Sequence, residues 1–171
     1  GFGLSYDNAL LINSDDIPLF ENNDRKTVFP DNIVDLTLRF RDAENEHEKI
    51  QQESIFLIDQ WCADYEDKIR SMGGIGFFLG GIGPDGHIAF NVRGSDHNST
   101  TRLTTTNFET QAAAATDLGG IEISRNRLVI TIGLGTITHN PETTGIIIAA
   151  GEAKAKIIKK SLENEPDVKY P

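Results

Sequence analysis

The chain holds a single cysteine, Cys62, in 171 residues. No internal disulfide can form, and a reducing, cytoplasmic setting is expected. Positive charge is scarce: 16 Lys and Arg stand against 26 Asp and Glu, a net charge of -10. A broad nucleic-acid surface needs clustered Lys and Arg, so none is expected. A phosphorylated small ligand stays open, because one pocket of N–H groups with a lysine can bind phosphate on an acidic protein. No apolar run approaches the roughly 18 residues of a membrane span, and no membrane partner is expected. The opening Gly1-Phe2-Gly3-Leu4 lacks the basic-then-apolar pattern of a signal peptide. It also lacks an initiator methionine, and the chain stops at Tyr170-Pro171, so both ends read as cuts in a longer protein. His87, His97 and His139 lack paired zinc-ligand spacing and have no cysteines to join them. Neither a metal nor another cofactor is implied.

What is present suits one domain over residues 1–171, with 38% hydrophobic residues to build a core. Residues 1–35 are rich in polar turns, with an apolar patch at Ile17-Pro18-Leu19-Phe20 and a candidate strand at Asn32–Leu36. From about Asp42 to Arg70 the pattern is helical. Ile50, Ile55, Leu57, Ile58, Trp61, Cys62 and Tyr65 form its apolar face, and Glu66 and Arg70 pair on the solvent side. Ile75–Leu79 reads as a short buried strand. A helix is expected near Asn107–Thr116, where Ala112 to Ala115 favour it, and a strand at Leu128–Ile132. A short helical stretch starts at Thr136, and Gly145–Ala150 is a third apolar strand. Glu152 to Glu163 reads as a helix with Ala153, Ile157, Ile158 and Leu162 inward. This rhythm implies an α/β fold, a three-layer αβα arrangement around a mostly parallel, Rossmann-like sheet, present in part. Apolar strands without alternation imply a sheet buried on both faces.

The most informative stretch is Gly80-Gly81-Ile82-Gly83-Pro84-Asp85-Gly86-His87-Ile88-Ala89-Phe90. Its glycines let a backbone approach a ligand where side chains would obstruct it. An imidazole both accepts and releases protons near neutral pH, so His87 is the candidate catalytic group, with Asp85 fixing the ring or sharing its proton. The plainer reading of Asp85 is a cap on a following turn or helix. Lys154 follows the Gly145–Ala150 strand directly. A lysine in a first helical turn at a strand's carboxyl end points toward the crevice where α/β sheets hold ligands, and it opposes the helix dipole there. A solvated surface lysine is the plainer alternative. The polar loop Arg93–Arg102 carries hydroxyls and two arginines that could hold phosphate or sugar hydroxyls, or could be simple surface. Cys62 falls on an apolar helix face and reads as core, not as a nucleophile.

The stretch Leu79 to Asn91 resembles the signature of the glucosamine-6-phosphate deaminase (isomerase) family. Cys62–Ser71, Arg127–Gly135 and Gly151-Glu152-Ala153-Lys154 resemble further family segments, and the likeness runs best over about 59–164. Pro-Asp-Gly-His is shared with 6-phosphogluconolactonases, whereas Ile88-Ala89-Phe90-Asn91 favours the deaminase side. The resemblance implies conversion of glucosamine 6-phosphate to fructose 6-phosphate and ammonia, in amino-sugar breakdown. His87, helped by Asp85, would open the sugar ring. Lys154 would hold the 6-phosphate, the backbone of Gly80, Gly81 and Gly83 would line the sugar, and Arg102 would add a cation. A sugar phosphate is the implied partner, and a homo-oligomer stays open.

The chain also departs from the family pattern. Val92 stands where a glutamate usually steadies the histidine, and no arginine appears near Ala114 to Thr116. The Ser-Gly-Gly-Ser/Thr phosphate loop and the Asp-Glu-Tyr segment that supplies the C2 proton carrier are absent. Arg93–His97 and Gln111–Gly120 resemble a branch found in longer fused bacterial proteins. By itself the 171-residue stretch is expected to be inactive or nearly so. The alternatives are a lactonase-like hydrolase and a non-enzymatic sugar-phosphate sensor.

Overall fold

The computed structural model describes residues 9–105 and 128–169, together with Gly3, Ser5 and Asp7. The helix expected at Asn107–Thr116 lies outside the described residues. The dominant element is α2, Glu46–Ser71. Asn45 caps it by accepting the Glu48 N–H, and Glu46 and Glu48 occupy the first turn, where the helix dipole favours anions. Arg41 grips Glu48 through both terminal guanidinium nitrogens at 2.8 and 2.9 Å, which holds the pKa of that carboxyl down at about 2.

The N-terminal forty residues contain little regular structure: a short helix α1 (Arg25–Val28) and 3-10 turns, two of them at Pro30–Asn32 and Leu36–Arg39. The strand expected at Asn32–Leu36 does not form. This segment nevertheless supplies the centre of the core. Val28, Phe29 and Leu38 are buried against Ile55, Ile58 and Cys62 of α2 and Leu103. Its backbone has few ladder partners of its own, so α2 side chains provide them. Gln51 accepts the Asp35 N–H and donates to the Val28 carbonyl, Ser54 accepts the Phe20 N–H, and Gln52 donates to the carbonyls of Leu38 and Arg41. Arg39 forms a two-pronged pair with Asp59 at 2.7 and 2.6 Å and donates to the Leu103 carbonyl. Phe29→Ala is expected to cost about 3–5 kcal/mol, the usual range for deleting a buried aromatic ring. Urea unfolding followed by Trp61 fluorescence would measure it. A loss under about 1 kcal/mol would mean that this segment is not part of the cooperative core.

Four strands are described. β1 (Phe77–Gly81) pairs parallel with β4 (Thr144–Ile148), and β2 (Arg102–Thr105) pairs antiparallel with β3 (Leu128–Thr131). Two short helices complete the set: α3 (Leu134–Thr138) and α4 (Ala155–Glu163). The fold is a partial α/β arrangement, as expected, but the parallel pair is not buried on both faces. Phe77, Leu79, Ile146 and Ile148 are exposed on one face of it. The reason is that α2 spends its apolar side on the N-terminal turns and β2. Of the inward positions expected in the last helix, Ile157 is buried and Leu162 is exposed. Nor does Glu66 face solvent: it is 6% exposed, with Arg70 Nε 3.9 Å from its Oε2. Among the described residues no helix is long and apolar enough to cross a membrane.

Candidate active site

Because β1 and β4 run parallel, their carboxyl ends, Gly81 and Ile148, lie side by side. The segments that leave these ends carry the candidate residues. After β1 the chain closes a tight turn: the Gly83 N–H donates to the His87 carbonyl at 2.8 Å, and the Gly86 N–H donates to Gly83 at 3.1 Å. Gly86 has φ +97°, a conformation L side chains rarely adopt. After β4 the chain makes a 3-10 turn at Glu152–Lys154 and enters α4. The two segments touch, since a methyl placed on Gly86 would stand 3.1 Å from Ile157 Cγ1. Lys154 lies one helical turn before Ile157 and is partly exposed.

Asp85 and His87 meet within this turn, with Nδ1 of the imidazole 2.5 Å from Oδ1 of the carboxylate. An ionised carboxylate only accepts, so Nδ1–H donates, and in the neutral imidazole Nε2 then carries the lone pair. The Asp85 side chain is 6% exposed and the His87 side chain 13% exposed. Asp85 is therefore placed to hold the ring through Nδ1. It caps no helix, because the turn Gly83–His87 runs on through turns and bridges and no helix starts there. The ring lies against the Gly83 backbone, where a Cβ would overlap it, and parallel to the Phe90 ring with centroids 6.4 Å apart. Gly83 thus sits at the site. Gly80 and Gly81 are strand residues at the carboxyl end of β1, in register with Ile147 and Ile148.

Arg102 begins β2 and turns its guanidinium into its own loop. It donates to Asn91 Oδ1, Ser99 Oγ, the Thr100 carbonyl and Ser95 Oγ. Burial and then the nearby Arg39 charge lower its pKa. The four acceptors make it a strut of the 91–102 segment, while Arg93 is exposed. Cys62 is core, with its thiol pushed up to about 11, chiefly by burial. Among the described residues no group of three or more His, Cys, Asp or Glu could hold a metal ion.

Sequence reasoning passed over two residues. Asn91 is fully buried, donates to the carbonyls of Ile88 and Ile132, and accepts from Arg102. It fastens the end of the histidine turn to the chain leaving β3. The other is Glu66, whose Oε1 accepts the Thr101 N–H, the Thr101 hydroxyl and the Thr136 hydroxyl at 2.8, 2.6 and 2.5 Å. Its position between Cys62 and Ile69 at helical spacing was the available signal.

No protein-family model matches the chain. It is 38% identical over 122 residues to a glucosamine-6-phosphate deaminase of Borreliella afzelii, covering 71% of this chain and 45% of that protein. It is 39% identical over 115 residues to a glucosamine-6-phosphate isomerase of Candida albicans, covering 67% and 46%. Among solved structures it is similar to a monomeric glucosamine-6-phosphate deaminase described as a missing link of the NagB superfamily. That match has a TM-score of 0.60 at 30% identity and covers 67% of this chain and 46% of the other. The chain thus spans about half the length of the curated relatives it matches. These relatives carry deaminase or isomerase names, so the lactonase-like hydrolase is not favoured.

Proposed function

We propose that the chain, by its similarity to proteins of that name, belongs to the glucosamine-6-phosphate deaminase/isomerase family, and that the full-length protein converts glucosamine 6-phosphate and water to fructose 6-phosphate and ammonia. The observation that carries this reading is the Asp85–His87 pair at the carboxyl end of β1, beside the segment bearing Lys154. In the first step the C1–O5 bond of the sugar ring breaks. The anomeric hydroxyl loses its proton, C1 becomes an aldehyde, and the ring oxygen gains a proton. Nε2 of His87 relays that proton, and Asp85 holds Nδ1–H so that the ring keeps one tautomer and one orientation. Lys154 contributes a point charge to the 6-phosphate. Gly83 keeps side-chain bulk away from the imidazole, and Arg102 acts by bracing its loop. The later proton transfer between C2 and C1 is assigned to no residue of this chain. We read residues 1–171 as belonging to one domain in a cytoplasmic, amino-sugar-degrading protein.

The test is ammonia release from glucosamine 6-phosphate by the full-length protein, with fructose 6-phosphate formed in equal amount. Tight binding of the sugar phosphate without turnover would replace this reading with a sensor. Hydrolysis of 6-phosphogluconolactone without ammonia release would replace it with a lactonase.

A further inference from the structure

We infer that Glu66 is a positioning residue for the His87 site. The inference rests on the proposed role of that histidine. A carboxylate that is 6% exposed would carry a large desolvation penalty if left without donors. Here one oxygen collects three donors from two separate segments, Thr101 just before β2 and Thr136 in α3. Oε2 has no hydrogen-bond partner among the described residues and lies 3.9 Å from Arg70 Nε. The negative charge therefore acts through Oε1 as a clamp on both segments.

Both clamped segments lead to the histidine turn. Thr101 precedes Arg102, which donates to Asn91 Oδ1. Thr136 follows the stretch in which the Ile132 carbonyl accepts from Asn91 Nδ2 and Thr131 Oγ1 accepts the Phe90 N–H. The two segments are also tied together, as the Gly135 N–H donates to the Ser99 carbonyl at 2.9 Å. Phe90 and Asn91 stand three and four residues beyond His87, and the Phe90 ring lies parallel to the imidazole. Glu66 thus fixes, from a rigid helix, the two supports that hold the far end of the turn carrying Asp85 and His87.

The test reads the imidazole itself by NMR of the full-length protein, so it stands or falls separately from any assay of turnover. Glu66→Ala is expected to move the His87 ring signals and weaken the downfield Nδ1–H signal of its bond to Asp85. His47, at the other end of α2, should keep its signals. Glu66→Gln retains an acceptor at Oε1 and should displace the His87 signals by less than half as much. Should the alanine variant fail to fold, Thr136→Val removes one donor and is expected to shift His87 in the same direction. Folded variants whose His87 signals coincide with the parent's would overturn the inference. So would displacement of the His47 signals by as much as those of His87, because that is the mark of a merely structural change.

Discussion

Replacing His87 by alanine in the full-length protein is expected to cut kcat/KM for ammonia release by about 10²–10⁴-fold, the usual worth of positioned general acid–base help. The loss should appear mainly in kcat, because in the proposed mechanism the ring acts on the breaking C1–O5 bond and Lys154 on the distant phosphate. Truncation also removes a donor to Asp85, and that carboxylate is 6% exposed on its side chain, so some stability goes with it. His87→Asn separates the two effects. Its amide N–H can take over donation to Asp85, yet an amide cannot relay a proton at neutral pH. The asparagine variant should therefore melt close to the parent and be as inactive as alanine. Steady-state assay beside thermal unfolding checks both. Substantial ammonia release by a well-folded asparagine variant would remove His87 from the chemistry.

Much of this site could be read in advance because its logic is local. Asp85 and His87 lie two residues apart, so a tight turn suffices to join them. The strand preceding them and Lys154 after a second strand follow from apolar runs broken by glycine. The long helix was legible from the spacing of Ile55, Ile58 and Cys62, all of which are buried. What escaped depends on distant partners. Phe29 and Leu38 sit in turn-rich sequence with no periodicity, and they reach the core only because Gln51, Gln52 and Ser54 satisfy the backbone around them. Glu66 looked like one end of a surface pair with Arg70, a reading that i,i+4 spacing invites. Its true partners lie 35 and 70 residues away. Arg102 looked like a ligand cation, and sequence cannot show that its two terminal nitrogens donate to Ser95, Asn91, Ser99 and Thr100. The bare face of β1 and β4 was read as buried because strand sequence reports a need for cover and not its source.

The proposal for His87 can also be tested by crowding the ring without altering it. Alanine at position 83 would drive its methyl into His87 Cε1 and Nδ1. Methyl and ring cannot both stay. Gly83 does not occupy the left-handed region, so alanine suits its backbone and the strain falls on the imidazole alone. The ring must swing away from the turn and give up its 2.5 Å bond to Asp85. A displacement of about 1 Å at a reacting group can cost 10²-fold, so Gly83→Ala should lower kcat/KM by about that factor while the protein remains folded. Gly81→Ala is the matched control. Its methyl would meet only the Ile148 carbonyl at 3.8 Å, an ordinary contact, so activity should hardly change. If Gly83→Ala retained parental activity, the ring's place against that glycine could not be the arrangement the chemistry uses. Asp85 would then be orienting it for something else.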